Sequence, residues 1–334
     1  MIQDMRKAGT LFQPSPFWEQ LIAQQVRQLE EEGIEHFKKT VNLRYFSWDV
    51  KWMLAQQFLP LARAWFQARE WNIFFRGAGI DSAGGRKIFG PVMGYLYGIA
   101  LALMKKFVAM RDPLGLMDSL EEPLTGDPIY IRRDGLRLSQ DLCNSVHEFY
   151  AATTGLGGEI KGDLEVVELG AGYGRVGFVF LKALKGCRYT VIDIPPTLYV
   201  AQEYLSAEFP GIPIFKYRDF SSFDEIRTEF ENAQIRFIAA HQIELLPEKH
   251  FDLFLNISSL AEMTREQIDF YFAQIDRLTR RFFYTKQWRN SRAPGNGFRV
   301  TEFGYPVPKT WTTLFHERHP MQRFFFHALY SLPR

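Results

Sequence analysis

The chain has 334 residues, enough for one large or two ordinary domains, and its net charge of +2 gives no global attraction for nucleic acid. Only Cys143 and Cys187 are present, with no CxxC and no metal-ligand spacing, which reads as a reducing, cytoplasmic setting without structural disulfides or zinc. Aromatic residues make up 16%, a surplus that has to pack a core or line a pocket.

Asp4, Arg6 and Lys7 precede any apolar run, so the beginning of the chain does not read as a secretory signal. Residues 1–110 read as a helical region. Trp18, Leu21, Ile22, Val26 and Leu29 recur at helical spacing, opposite a face rich in Gln and Glu. Asn42 to Arg76 interleaves aromatics with Arg and Lys, a composition that binds sugars or nucleic acid in some proteins but at helical spacing reads first as core. Ile88 to Met104 carries no charge. A bilayer span wants about 20 apolar residues, so this shorter run, broken by Pro91 and glycines, reads as a buried helix without stable membrane insertion.

Residues 111–138 form a linker and hairpin. Arg111 to Gly115 and Glu121 to Pro128 are rich in proline, glycine and acids, and Ile129 to Leu138 alternates about Asp134-Gly135, the signal of a two-residue type I′ turn. A helix from Ser139 to Ala152 then opens the last domain, 139–334.

The stretch Glu165 to Gly177 organises that domain. A short apolar strand meets glycines at 170, 172 and 174, and a helical pattern follows at once. Such a turn lets backbone N–H groups approach an anionic ligand group. A dinucleotide fingerprint laid on Gly172, Gly174 and Gly177 would carry the strand through Gly170. Started at Gly170, it puts Arg175 in the place of the third glycine. The pattern that fits is Glu-Leu-Gly-x-Gly-x-Gly, which resembles motif I of the class I S-adenosylmethionine-dependent methyltransferases. By that resemblance Glu168, Gly170, Ala171, Gly172, Tyr173 and Gly174 contact the cofactor, and Tyr150, on the preceding helix, lies over it.

Tyr189 to Asp193 is a second apolar strand, ending in an acid 23 residues past Gly170. That suits a carboxylate accepting from both ribose hydroxyls, with Ile194 beside it. The competing role for Asp193 is a helix cap, but Pro195 and Pro196 supply that start themselves. Leu198, Ala201, Leu205 and Phe209 mark the next helix, and Ile212 to Ala233 has room for an extra strand and helix. Arg236 to Pro247 reads as the third strand with its loop. Methyltransferases often place an acid there against the adenine amino group; here that position is Gln242, an uncharged acceptor, with His241 adjacent.

Phe251 to Met263 is the fourth strand and its tip, Thr264 to Gln267 a capping box, Ile268 to Leu278 a helix, and Arg281 to Thr285 the fifth strand, running into Lys286-Gln-Trp288. Alternating strands and helices predict an α/β, Rossmann-like parallel sheet with helices on both faces. Its ligand crevice lies at the carboxyl ends of the strands, which carry Gly170 to Gly174, Asp193, Gln242, Asn256 to Glu262 and Lys286 to Arg289.

Glu168 to Gly174, Asp193-Ile-Pro-Pro-Thr-Leu, Phe251 to Met263 and Lys286-Gln-Trp together resemble the bacterial sugar O-methyltransferase family over residues 120–290. The resemblance implies S-adenosylmethionine as cofactor, which Asn256 also contacts, and a sugar hydroxyl as acceptor. Such chemistry needs a base for the hydroxyl proton. Glu262 is the first candidate, then His241, His316 and His319, although Glu262 equally suits a plain acid ahead of a helix start. Trp288 offers a face to a sugar ring, and Lys286 and Arg289 can hold a phosphate or carboxylate. Arg277 to Arg299 holds seven Lys or Arg and no acid, which suits an anionic glycoconjugate. Asn256-Ile-Ser-Ser stands where an Asn/Asp-Pro-Pro-Tyr motif would mark methylation of base amino groups. No acidic cluster marks a metal site, and none is expected. Nucleic acid is not expected as a partner, and a homo-oligomer is left open. The alternatives are a methyltransferase acting on RNA or another small molecule, or a non-catalytic cofactor-binding partner in polysaccharide assembly.

Overall fold

A computed structural model describes residues 1–40, 81, 83–157, 163–291 and 299–333, without the side chains of 20, 40 and 83–89. The aromatic-rich run 42–76 and Arg292 lie outside the described residues. The chain divides into two compact units, one of Met1–Arg27, Ala151–His319 and Phe324–Arg334, the other of Gln28–Tyr150 and Pro320–Arg323.

Helices α1 (Ile2–Lys7) and α2 (Pro16–Glu32) open the chain. The second unit then holds α3 (Phe37–Thr40), α4 (Ala83–Ala109), α5 (Leu116–Ser119), the hairpin β1 (Ile131–Arg133) and β2 (Leu136–Leu138), and most of α6 (Gln140–Thr153). Asp134 and Gly135, at φ 52° and 84°, make the turn that brings Arg133 opposite Leu136. Inside this unit a buried ion pair joins Lys38 Nζ to Glu122 Oε1 at 2.5 Å, and Ser139 Oγ donates to the other carboxylate oxygen at 2.6 Å. Gly90 leaves helical geometry at φ 66° and ψ 176°, so α4 is two helical runs that meet ahead of Pro91. Gly90–Ala109 is the one described helix long and apolar enough to cross a membrane, by length and composition, with half of that window buried. Leu101 and Met104 are fully buried in it, while Val92 is 70% exposed.

The first unit is built on an eight-stranded sheet in the order β11-β12-β8-β7-β3-β4-β6-β5. Its strands are β3 (Glu165–Leu169), β4 (Arg188–Asp193), β5 (Ile214–Phe215), β6 (Ile235–Ala239), β7 (Phe251–Ile257), β8 (Thr279–Trp288), β11 (Thr312–Arg318) and β12 (Phe325–Ser331). The two-residue strands β9 (Asn290–Ser291) and β10 (Val300–Thr301) pair with each other. Strands β3 to β8 run parallel, and β12 pairs antiparallel with both β8 and β11. Every residue of β3 and of β6 is buried, as a parallel sheet covered on both faces requires. The covering helices are α7 (Arg175–Ala183), α8 (Thr197–Glu208), α9 (Arg227–Asn232) and α10 (Arg265–Leu278). The doubly wound α/β class expected from the sequence is the one that forms. The extra strand and helix expected within 212–233 are β5 and α9.

Two features depart from the sequence reading. The sheet gains β12 and β11, which give no clean alternation: β12 is buried on both faces like a parallel strand, and β11 is a mostly exposed edge. Residues 1–27 group with the sheet rather than with the helical region. Gln267 Nε2 on α10 donates to the carbonyls of Leu11 and Gln13 at 3.0 and 2.9 Å, and Phe12 meets Phe270 edge-on at 5.4 Å.

The chain order fixes where a ligand crevice falls. From β3 the sheet grows one way through β4 and β6, and then the other way through β7 and β8. The topological switch point therefore lies between β3 and β7, at their carboxyl ends, where Gly170 follows one strand and Ser258 the other.

Candidate functional site

The glycine-rich turn occupies this switch point. Gly170, Gly172 and Gly174 all have positive φ, at 72°, 61° and 85°, a region that side chains with a Cβ resist. Gly170 is fixed twice: its N–H donates to the Ile192 carbonyl at 2.8 Å, and a Cβ on it would lie 2.3 Å from Ser259 Oγ. Gly174 caps α7, and its N–H closes the turn onto the Ala171 carbonyl at 3.0 Å. Tyr173 is buried with its ring edge-on to Tyr204 at 5.2 Å, so this loop residue packs into the protein. A Cβ on Gly177 would meet the Tyr189 ring at 2.8 Å, so that glycine lets α7 lie close on β4. This is the packing role of the third glycine in a dinucleotide fingerprint.

Two carboxylates flank the turn. Glu168, 2% exposed on β3, accepts from Tyr189 Oη at 2.6 Å. Asp193, at the tip of β4, accepts from the Gly172 N–H at 2.9 Å, the Ile194 N–H at 2.7 Å and Thr197 Oγ1 at 3.2 Å. It is thus both a brace for the glycine turn and a local cap for the Pro195-Pro196 segment, the competing role in the sequence reading. Burial pushes its carboxyl up to about 7, against the pull of these backbone N–H groups. A carboxylate has about four acceptor sites and three are taken, so Asp193 retains about one for a ligand hydroxyl.

Gln242, just past β6, and Asn256, near the end of β7, lie at the carboxyl ends of strands separated by β3 and β4, but their amides serve the fold. Gln242 Oε1 accepts from the Ala239 N–H at 3.0 Å and its Nε2 donates to the Arg218 carbonyl at 2.9 Å. Asn256 Nδ2 donates to the Leu169 carbonyl at 2.9 Å, and its Oδ1 accepts from the Leu260 N–H at 3.2 Å and from Gln287. Asn256 thereby ties the tip of β7 to the end of β3, directly under the turn.

Glu262 sits in the short 3-10 segment after β7 and meets the N-terminal residues. Trp18 Nε1 donates to its Oε2 at 3.0 Å, and Ser15 Oγ to its carbonyl at 2.8 Å. Nothing in the local pattern of either residue signals this contact, which spans 244 positions in the chain. His241, on the 3-10 segment after β6, is half-buried and its Nδ1 has no hydrogen-bond partner. Burial lowers its pKa, with Asp219 and Asp4 opposing, which favours the neutral ring that can accept a proton. Asp4 is held by Tyr217 Oη at 3.0 Å, so the first turn of the chain comes to the β6 side of the rim.

The remaining candidates are dispersed. His316 stacks between Phe303 and Phe326 at 5.2 and 4.8 Å, on an edge strand three positions from β7, and His319 follows the same strand. Lys286 is 3% exposed with its ammonium 5.1 Å from the Phe325 ring centroid, and Trp288 packs on the same ring at 4.4 Å. Arg289 makes a two-pronged ion pair with Glu302 at 2.5 and 3.2 Å. In the second unit the Tyr150 hydroxyl is taken by Asp112 and by the Leu114 N–H at 3.2 Å.

No protein-family model and no curated protein matches the chain. Solved structures similar to it include PH0226 protein from Pyrococcus horikoshii OT3, at 15% identity over 56% of this chain and 91% of that one, TM-score 0.37. Another is the 1,6-didemethyltoxoflavin-N1-methyltransferase of Burkholderia thailandensis with bound S-adenosylhomocysteine, at 16% identity over 58% and 79%, TM-score 0.40. A third is the N-methyltransferase NodS of Bradyrhizobium japonicum WM9, at 12% identity over 57% and 95%, TM-score 0.39. At these scores the likenesses speak to neither activity nor substrate, and the fold rests on this chain's own sheet order.

Proposed function

We propose that this chain is a cytoplasmic S-adenosylmethionine-dependent methyltransferase whose acceptor is a hydroxyl of a sugar or glycoconjugate. The observation that carries the reading is the glycine turn at the switch point, braced by Asp193 through the Gly172 N–H at 2.9 Å and backed by Glu168. Two buried acids beside positive-φ glycines suit a ligand with a cationic amine and sulfonium, a carboxylate and a ribose. Glu168, the backbone of residues 170–174, Asp193 and Ile194 would hold it. The cofactor, when bound, supplies an electrophilic methyl group.

The chain's own part is to place an acceptor oxygen and remove its proton. Glu262 is the first candidate for the second task, and the hydrogen bond from Trp18 Nε1 that steadies one of its carboxylate oxygens at 3.0 Å supports the reading. His241 is the second candidate, kept neutral by its burial. Lys286, Trp288 and Arg289 border the same end of β8 and support an anionic carbohydrate, Arg289 by exchanging its Glu302 partner for the substrate.

The Gly177 packing supports a competing reading as a dinucleotide site, so the deciding experiment is comparative. S-adenosylhomocysteine and NAD are titrated calorimetrically into the protein, and labelled S-adenosylmethionine is then incubated with nucleotide sugars and glycan extracts, followed by mass spectrometry. Binding of the homocysteine product with label on a carbohydrate hydroxyl is expected. Binding of NAD alone overturns the cofactor, and label found only on RNA or on a non-carbohydrate small molecule overturns the acceptor.

A further inference from the structure

Among the described residues, Asp127, Asp134, Lys249 and Ser258 have positive φ without being glycine. The first three lie in connecting loops, and aspartate tolerates the left-handed region through local hydrogen bonds. Ser258 stands elsewhere, at φ 65° where β7 ends on the rim of the switch point. In that region a Cβ crowds the following carbonyl, a cost that Gly170, Gly172 and Gly174 across the crevice avoid. The backbone around Ser258 is firmly held. Its N–H donates to the Lys286 carbonyl at 2.7 Å, and the Oγ of Ser259, which lies against Gly170, accepts from Asn256 Nδ2 at 2.6 Å. The left-handed geometry turns the chain off β7 into the 3-10 segment Leu260–Glu262. A glycine would make the same turn at lower cost, so the turn does not account for the side chain. The fold does not use that side chain either: it is half-buried, and among the described residues its hydroxyl has no hydrogen-bond partner.

We infer that Ser258 orients the acceptor, its hydroxyl hydrogen-bonding the substrate so that one chosen substrate hydroxyl faces the methyl group. The inference rests on the methyltransferase reading and adds to it the residue that sets which position is methylated. Backbone strain of this kind persists where the surroundings over-determine it, and it gathers at functional positions. Here the ties to Lys286 and, through Ser259 and Asn256, to the end of β3 hold the strained residue in place. Its hydroxyl is therefore fixed before a ligand arrives, and little further ordering is needed on binding. The chemistry of the group matches a polyhydroxyl acceptor. A serine hydroxyl donates one hydrogen bond and accepts two, so it can bridge neighbouring oxygens of a carbohydrate, and being uncharged it does not repel an anionic one. Asn256 and Ser259, the polar neighbours at the same strand end, are already committed to the Leu169 carbonyl, which leaves Ser258 to face the ligand.

The test compares full-length wild-type protein with Ser258→Gly and Ser258→Ala, using labelled S-adenosylmethionine and glycan extracts, with S-adenosylhomocysteine calorimetry and thermal melting alongside. Ser258→Gly should melt a few degrees higher, because the left-handed strain is gone, and Ser258→Ala should melt near the wild type. Both variants should bind S-adenosylhomocysteine as the wild type does. Both should transfer label about tenfold more slowly at low acceptor concentration, the effect of one lost hydrogen bond, and fragmentation mass spectrometry should find the label on more than one hydroxyl. A serine with a purely structural role gives a different pattern, in which the stabler glycine variant transfers as well as the wild type. Wild-type transfer by either variant overturns the inference and leaves the methyltransferase reading standing. So does a glycine variant that melts below the wild type, or a fall in S-adenosylhomocysteine affinity that matches the fall in transfer. A wild-type protein that labels nothing overturns the methyltransferase reading itself, and this inference with it.

Discussion

Asp193 concentrates the chemistry of the site at the scale of one residue. Replacing it with Ala removes the brace on Gly172 and the acceptor for ribose, and should weaken S-adenosylmethionine binding by about 1–3 kcal/mol in calorimetry. Its protonation adds a pH signature. The folded-state pKa of about 7 lies above the ordinary 3.8, so the native protein holds a proton through that window that the unfolded chain has released. The free protein therefore loses stability as pH rises from about 4 to 7. Ribose hydroxyls bond better to the ionised carboxylate, so cofactor affinity should rise over the upper part of the same window and level off above about pH 7, a slope that Asp193→Asn removes. Glu262→Gln should leave cofactor affinity unchanged and slow transfer by ~10²-fold, measured with labelled cofactor once an acceptor is in hand.

At the scale of elements, β3 and β6 are joined by a charge pair as well as by β4 between them. Arg236 is fully buried; its Nη1 meets Glu165 Oε2 at 2.6 Å, and its Nε donates to the carbonyls of Phe230 and Ala233 at 2.7 and 3.1 Å. Its guanidinium also lies 4.2 Å from the Phe230 ring centroid, which locks α9 to the sheet. Arg236→Met strands Glu165 with less compensation, so a loss of about 3–5 kcal/mol and a melting point lower by roughly 6–20 °C are expected by calorimetry. The double variant Arg236→Met/Glu165→Leu should recover part of that loss, because the buried charge is gone too. The elements legible in the sequence are those with a local signature. Thr264 caps α10 reciprocally with Gln267, as the four-residue pattern requires, with the Thr264 N–H on Gln267 Oε1 at 2.9 Å. β11 and β12 have no such signature, since one is a polar edge and the other a continuous apolar run with a histidine inside it.

At the scale of the molecule, residues 1–18 belong with the sheet unit, through Phe12 on Phe270, Gln13 and Leu11 on Gln267, and Trp18 and Ser15 on Glu262. Deleting residues 1–13 removes one aromatic contact and two hydrogen bonds from α10, and should cost about 2–4 kcal/mol in denaturant unfolding. What the sequence determined by itself is what short-range sterics and hydrogen bonding enforce: the positive-φ glycines after β3, the Asp134-Gly135 hairpin, the cap of α10, and the alternation that makes a doubly wound sheet. The tertiary structure alone decided where long-range partners fall. It turned the Gln242 and Asn256 amides inward, engaged Arg289 with Glu302, and brought Trp18 to Glu262 and Glu317 to His327. Those choices follow from strand order and register, because a polar side chain takes whichever complementary group the assembled sheet sets within hydrogen-bonding distance, however far away it lies along the chain.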